Sequence, residues 1–187
     1  MDTMRDRFVG VTAQLMDADD RLMLILADIG VSRFAESGML ERHPTRVVNV
    51  GIREQLLVSF AAGVALEGFR PVLHTYAPFL IERPFEQLKL DFAHQGVGGI
   101  FVSVGASYDW AAGGRTHQAP GDVALLKTLP DWRIHIPGHP DEVETLYRSA
   151  ATTDERVYMR LAEDMNASAW ASSDAGFTAI RHGSITR

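Results

Sequence analysis

The sequence contains no cysteine among its 187 residues. Disulfide bonds, thiolate metal ligands and cysteine nucleophiles are therefore excluded. Lysine and arginine are also scarce relative to acidic residues, 18 against 24, and they form no continuous stripe. The electrostatic footprint that accompanies nucleic-acid binding is missing. We predict no nucleic-acid ligand.

Long apolar runs are absent as well. The most apolar early segment, residues 22–27, is closed by Asp28 and is far too short to cross a bilayer. Residues 1–16 are interrupted by charges and lack the apolar core of a signal peptide. These features predict a soluble, cytoplasmic protein that does not associate with membranes.

The composition that remains, 46% hydrophobic and 22% charged, is that of one globular domain of this length. Short, continuously apolar segments alternate with helical patterns along the chain, which is typical of a parallel sheet covered on both faces. We predict a three-layer α/β/α domain with a mostly parallel sheet over residues 1–165. The predicted strands are 21–29, 45–50, 71–75, 98–105, 132–136 and 157–161, and the predicted helices are 4–17, 33–41, 52–66, 79–94, 120–128 and one that begins at 140.

Two segments suggest features beyond this domain. The helix at 52–66 is apolar on nearly every face and must be buried on most sides, so we expect at least a homodimer in isolation. Residues 166–176 are small and polar, which is typical of a linker. Residues 177–187 then resemble the start of a further domain, so we divide the chain into 1–165 and 166–187.

Candidate site residues follow the predicted strands, because ligands of open parallel sheets bind at the carboxyl ends of the strands. Glu54 lies in the first turn of the apolar helix. Burial would disfavour its ionised form, while the helix N-terminus would favour that form by up to about 2 kcal/mol. Such a carboxyl group is suited to exchanging a proton with a ligand. The alternative is a first-turn glutamate that satisfies backbone donors.

Other candidates are equally ambiguous in isolation. Tyr76 and Phe79 could cover a flat heterocycle, or they could pack between sheet and helix. His117 follows a glycine pair and could contact a substrate oxygen, or it could be an ordinary surface histidine. The histidines show no ligand spacing with carboxylates, so we predict no metal site. The glycine-rich stretch 96–99 leads into a strand rather than a helix, which argues against a phosphate loop.

Four segments occur together in an informative order. They resemble the pyrimidine-binding domain of the transketolase family, and more distantly that of deoxyxylulose-phosphate synthases, and the resemblance covers roughly residues 20–165. The segments are VGIREQLLVSFAAGVALEGFRPV, HTYAPFLIERPFEQL, GGRTHQAPGDVALLKTLPDW and PGHPDEVETLYRSA.

The resemblance implies thiamine diphosphate as the cofactor. Glu54 matches the glutamate that bonds the pyrimidine ring nitrogen and so favours the imino tautomer that activates the cofactor. Tyr76 and Phe79 match aromatic positions beside the pyrimidine, and Asp28 matches an aspartate near cofactor and substrate. His117 matches the histidine that contacts sugar hydroxyl groups. This role of Glu54 requires a carboxyl group at a sheet-edge crevice; a side chain inside the fold, or one facing bulk solvent, would contradict it.

The sequence departs from the family at three positions. Gly105 stands where transketolases carry a histidine, Gly113 stands where they carry an aspartate associated with recognition of substrate hydroxyl groups, and Arg115 stands where the family usually has proline. Loss of two hydrogen-bonding groups should weaken selection for a particular sugar, because a polar site discriminates by the partners it leaves unpaired.

The chain also lacks the G-D-G segment with which the family holds the diphosphate and its magnesium or calcium ion. We therefore expect a subunit or fragment of a transketolase-like enzyme that transfers two-carbon ketol units between sugar phosphates and is inactive without a separate diphosphate-binding domain. One alternative is the beta subunit of a 2-oxo-acid dehydrogenase decarboxylating component. The other is a non-catalytic interaction domain that retains the fold.

Overall fold

The computed structural model describes residues 2–169. Its centre is a six-stranded sheet, in which every neighbouring pair of strands is parallel. The strands are β1 (Leu22–Leu26), β2 (Val47–Asn49), β3 (Arg70–Tyr76), β4 (Gly99–Val104), β5 (Trp132–His135) and β6 (Arg156–Arg160). Their spatial order is β2-β1-β3-β4-β6-β5.

Helices cover both faces of this sheet. They are α1 (Met4–Ala18), α2 (Val31–Glu36), α3 (Met39–Arg42), α4 (Glu54–Leu66), α5 (Phe85–Gln87), α6 (Asp122–Leu126) and α7 (Pro140–Ala151). One apolar core lies between the sheet and the face formed by α1, α2 and α7, and a second lies between the sheet and the face formed by α4, α6 and residues 80–92. The predicted three-layer α/β/α architecture is confirmed.

The central strands explain why the sequence pattern is continuously apolar. Every residue of β4 is buried, and successive residues alternate between the two cores: Ile100 and Val102 face one, and Phe101 faces the other. A strand buried on both faces has no solvent side on which polar residues could alternate. The parallel sheet also brings all carboxyl ends to one edge.

Two predicted helices differ from the structure. The segment 33–41 forms two helices rather than one, because Gly38 adopts a left-handed conformation with φ of 72° and interrupts it. The segment 79–94 contains wide π-helical turns at Pro78–Glu82 and Leu88–His94, on either side of α5. In the first of them the backbone N–H of Arg83 donates to the carbonyl of Pro78, five residues earlier.

The helix α4 is less covered than its composition predicts. One face is buried, but Ile52, Leu56 and Phe60 are 70%, 45% and 37% exposed in the single chain. The single chain therefore leaves part of this apolar helix uncovered, and its burial in a homodimer stays a prediction.

The predicted boundary at residue 166 lies at the edge of the described region. The N–H of Asn166 still donates to the carbonyl of Gly138 at 2.7 Å. The rest of the predicted linker beyond residue 169, and the predicted start of a further domain, lie outside the described residues. Within residues 2–169, no helix is long and apolar enough to span a bilayer.

His74 is a fully buried histidine on β3. Its Nδ1 lies 2.8 Å from the carbonyl oxygen of Val102, to which a neutral ring can donate. Burial, with the nearby charge of Arg5 as a second cause, lowers the pKa of His74 to about 3. The ring is therefore neutral in the native state at ordinary pH.

We predict that this histidine makes the domain acid-sensitive. Between pH 6.5 and about 3, the unfolded chain binds a proton that the native chain does not, so the unfolding free energy falls as pH falls. The contribution of His74 should fall by about 2 kcal/mol between pH 7 and pH 5. Urea unfolding at both pH values measures the difference in unfolding free energy between pH 7 and pH 5. This difference should be smaller in His74→Gln than in the wild type, and unchanged in His94→Gln, which alters an exposed histidine. Equal pH dependence in both variants would contradict the assignment.

Candidate functional site

The predicted site residues follow strands that end at the same edge of the sheet. Asp28 follows β1, Glu54 follows β2, Tyr76 ends β3, and His117 lies in the long loop after β4. Because β2, β1, β3 and β4 are consecutive in the sheet, these positions form one row along its carboxyl edge. The topology therefore supplies the crevice in which open α/β sheets bind ligands.

Glu54 opens α4 and is 2% exposed. Its Oε1 accepts a hydrogen bond from an Nη1 of Arg83 at 2.6 Å. Within residues 2–169, its other oxygen, Oε2, makes no hydrogen bond. The carboxylate belongs to neither apolar core, but it is not freely accessible: a ligand can approach Oε1 only if Arg83 moves.

The side chain of Arg83 lies between this carboxylate and the solvent. It is 40% exposed, whereas the Glu54 side chain is 3% exposed. The guanidinium carbon of Arg83 also lies 4.0 Å from the centre of the Phe79 ring, within the range of a cation–π contact. Arg83 thus joins two of the predicted site residues, Glu54 and Phe79.

The aromatic candidates form one cluster. The ring centroids of Tyr76 and Phe79 are 6.0 Å apart, and the His117 ring lies 5.7 Å from Tyr76 and 5.2 Å from Phe79, with near-perpendicular planes. Trp110 joins the cluster by stacking on Tyr76 at 5.9 Å and meeting His117 edge-on at 4.6 Å. Edge-to-face and offset contacts of this kind are the favoured geometries of aromatic pairs.

His117 is hydrogen-bonded within its own loop. Its Nδ1 lies 2.9 Å from the hydroxyl of Thr116, and that hydroxyl donates to the carbonyl of Gly113. Since a hydroxyl has one proton, Thr116 then accepts from Nδ1–H of His117. Nε2 makes no hydrogen bond within residues 2–169, so this atom can face a ligand.

The loop that carries His117 is closed at its base. Ser107 and Ala119 pair as an isolated bridge, and Arg160 donates to the Ser107 hydroxyl at 2.6 Å and to the Ala119 carbonyl at 3.2 Å. Arg160 is itself held by the fully buried Asp122, with Nε 2.9 Å from Oδ2 in an ion pair that is not aligned as a hydrogen bond. Tyr158 donates to the same oxygen at 2.6 Å, and burial raises the pKa of Tyr158 well above its ordinary value.

Asp28 stands apart from the other candidates. It is exposed, and its Oδ1 accepts from the side-chain amide of Asn49 at 2.9 Å. The amide oxygen of Asn49 accepts in turn from the N–H groups of Asp28 and Gly51. Asn49 thereby ties the end of β1 to the turn that leads into α4. Within residues 2–169, Asp28 makes no contact with the aromatic cluster.

Both glycine departures lie against aromatic rings. A Cβ on Gly105 would come within 2.5 Å of the Tyr76 ring, and one on Gly113 within 2.5 Å of the Trp110 ring. Real Cβ atoms essentially never approach so closely. The packing of these rings therefore accounts for glycine at both positions.

The sequence matches the family described as transketolase, pyrimidine binding domain, over residues 2–167. The chain belongs to this family. An uncharacterized 33.6 kDa protein in the fasciation locus of Rhodococcoides fascians is 45% identical over 168 residues, which cover 90% of this chain and 53% of that protein. The 1-deoxy-D-xylulose-5-phosphate synthase of Bacillus velezensis is 31% identical over 146 residues, 78% of this chain and 23% of the synthase.

A solved structure gives the same assignment. It is described as a split gene transketolase in an inactive beta4 tetramer, and it superposes with a TM-score of 0.76 at 26% identity. The match covers 87% of this chain and 52% of that one. This transketolase-family domain thus spans about half the length of the first relative and of this structure. The resemblance inferred from sequence is confirmed.

Three residues of the site were not anticipated from sequence. Arg83 lies four positions after Phe79, a spacing that places two side chains on the same helical face and so could have revealed it. Asn49 is the last residue of β2, and this place at a strand end could have indicated it. Nothing in the sequence indicates that Trp110 lies at the site, because its position depends on the path of an irregular loop.

We predict that Glu54 and Arg83 are energetically coupled in the free chain. Glu54→Gln, Arg83→Gln and the double variant should give a coupling energy of about 1–2 kcal/mol in urea unfolding, a value reduced by the partial exposure of Arg83. The exposed Glu86–Lys89 pair, with 3.7 Å between its charged atoms, is the matched control and should give no more than about 0.5 kcal/mol. Additive effects of Glu54→Gln and Arg83→Gln would show that the pair does not form.

Proposed function

We propose that this chain supplies the pyrimidine-binding half of a thiamine diphosphate site in a transketolase-like enzyme that transfers two-carbon ketol units. The observation that carries the proposal is the Glu54 carboxylate, held at the N-terminus of α4 on the carboxyl edge of the sheet, beside Arg83 and Phe79. In this proposal Glu54 is the cofactor-activating residue.

The residues at this edge fit an aminopyrimidine ring. Glu54 offers Oε2, which no described residue engages, as a partner for a ring nitrogen. Phe79 and Tyr76 are partly exposed rings against which a flat heterocycle could pack. Because Arg83 occupies Oε1 and Glu54 is 2% exposed, the ring nitrogen would bond Oε2 beside the Arg83 side chain.

Each residue has a distinct task in the proposed reaction. Glu54 holds a proton shared with the pyrimidine nitrogen, and Phe79 and Tyr76 orient the ring. His117 accepts a proton from a substrate hydroxyl at Nε2, and Asp28 lies on the same edge near the substrate. When bound, thiamine diphosphate supplies a ring carbon that stabilises the charge left as a carbon–carbon bond breaks.

The other half of the site comes from a partner in this proposal. Within residues 2–169, no group of three or more histidine, aspartate or glutamate side chains is placed to hold a metal ion. A diphosphate and its magnesium or calcium ion require charge neutralisation that Glu54 and the aromatic rings do not offer. The structural relative described as a split gene transketolase supports a division between two chains. A cytoplasmic location is part of the proposal.

Two other functions remain distinguishable by experiment. A beta-type subunit of a 2-oxo-acid dehydrogenase decarboxylating component would use Glu54 for the same chemistry with a different substrate. A non-catalytic interaction domain would bind the partner without needing Glu54. The T-H-Q segment at His117 and the segment PGHPDEVETLYRSA favour the transketolase-like function over the dehydrogenase subunit. The presence of Glu54, Phe79 and His117 argues against a non-catalytic domain.

We predict that Glu54→Gln abolishes ketol transfer by the complex with a diphosphate-binding partner, reducing kcat at least a hundredfold while leaving assembly intact. The amide keeps the shape but cannot share the required proton. Glu67→Gln, at the opposite end of the same helix, is the control and should retain activity. Transfer rates equal to wild type in Glu54→Gln would reject the catalytic role.

The exposed face of α4 supports self-association of the isolated chain. Leu56 and Phe60 on α4, and Ile52 in the turn just before it, are exposed apolar side chains in the single chain. Contiguous exposed apolar surface marks association sites in soluble proteins. We propose that a second copy of this chain covers this surface when the partner is absent, as a homodimer or a larger assembly.

We predict that Phe60→Glu weakens this self-association at least tenfold, or by about 1.4 kcal/mol, because a charge would be buried in the interface. Ile136→Glu changes an exposed apolar residue beside the opposite edge strand and should leave association unchanged. Light scattering across a concentration series measures the difference. A wild-type chain that is strictly monomeric at moderate concentration would contradict the proposal.

A further inference from the structure

Trp110 is held in an unusual backbone conformation. Its φ of 51° lies in the left-handed region, which bulky residues rarely adopt and which persists only when surrounding contacts enforce it. Those contacts are present. The N–H of Gly113 donates to the Trp110 carbonyl at 2.9 Å, and the carboxylate of the preceding Asp109 accepts from the N–H groups of Ala106 and Glu163.

Aromatic rings leave no room for a side chain at Gly105 and Gly113. A Cβ at Gly113 would come within 2.5 Å of the indole of Trp110, and a Cβ at Gly105 within 2.5 Å of the Tyr76 ring, on which the indole stacks. A side chain at either position would therefore require one ring of the Trp110–Tyr76 stack to move.

The indole also forms part of the surface beside His117. Trp110 is 42% exposed, and its ring lies 4.6 Å from the His117 ring, which in turn packs near Phe79. The surface next to the His117 ring is thus largely aromatic. Such a surface favours the packing of flat apolar groups, because the faces of the rings contribute little hydrogen bonding.

We propose that Trp110 is a specificity-determining residue and that the acceptor of the ketol unit is an aldehyde with an aromatic or apolar substituent. The assignment rests on the proposed function and narrows its substrate class. In the donor, the bond between the carbonyl carbon of the two-carbon unit and the adjacent hydroxyl-bearing carbon breaks, and the hydroxyl on that carbon gives up its proton as the remainder leaves as an aldehyde. The same carbonyl carbon then bonds to the acceptor aldehyde carbon, and the acceptor oxygen takes up a proton to become a hydroxyl. One proton is lost and one gained, so no oxidant is needed.

The first test measures binding to the full chain without turnover. Benzyl alcohol and erythritol serve as probes in proton–nitrogen NMR titrations, with the indole signal of Trp110 assigned from its loss in Trp110→Ala. Benzyl alcohol should shift this signal saturably, whereas erythritol should not. Trp110→Ala should weaken benzyl alcohol binding at least fivefold, and Tyr108→Ala, which changes a more exposed ring in the same loop, should not. Equal responses to both probes, or no saturable response, would overturn the assignment.

The second test uses the active complex with its partner. The ratio of kcat/KM for benzaldehyde to that for D-glyceraldehyde should exceed one and fall at least tenfold in Trp110→Ala. A ratio that stays unchanged in this variant would overturn the specificity role. Absence of transfer to either aldehyde, with selective benzyl alcohol binding retained, would reject the proposed ketol transfer and leave the aromatic-ligand assignment of Trp110 supported.

Discussion

The ion pair between Arg83 and Glu54 is the interaction on which the site depends. A carboxylate that is 2% exposed requires a compensating charge, and Arg83 provides it from a position that is itself partly open. The same guanidinium packs on Phe79. Arg83 therefore holds both the Glu54 carboxylate and the Phe79 ring in place. A ligand at this edge of the sheet must bind beside Arg83 or displace it.

The second constraint is the packing of the loop after β4. Arg160 and Asp122 close its base, and the Trp110–Tyr76 stack orders its outer part. His117 is consequently held against the aromatic cluster rather than exposed on a free loop. Gly105 and Gly113 lie against the Tyr76 and Trp110 rings, so this packing leaves no room for a side chain at either position.

Much of the fold was predictable, because short apolar strands buried on both faces leave a clear pattern. All six strands and the two-sided helical cover followed from it. The split at Gly38 was not predictable from periodicity, since a glycine inside a helical pattern is often tolerated. The wide turn that places Arg83 was missed for a similar reason: sequence spacing does not reveal a hydrogen bond that spans five residues.

The candidate site was predicted unevenly. Strand ends in a parallel sheet necessarily share an edge, which is why Glu54, Tyr76, Phe79 and His117 lie near one another. Asp28 lies at the same edge of the sheet but outside the aromatic cluster, because its side chain is hydrogen-bonded to Asn49. The burial of the Glu54 side chain could not be predicted, since it depends on contact with Arg83, which lies in another segment of the chain.

The central claim is that the chain holds only the pyrimidine half of a cofactor site. Calorimetric titration of thiamine diphosphate with magnesium into the isolated chain, into a co-purifying diphosphate-binding subunit and into their mixture tests it most directly. The account predicts strong binding only in the mixture, and weaker binding there when Glu54 is replaced by alanine. Tight binding to the isolated chain, or identical binding by the alanine variant in the mixture, would contradict it.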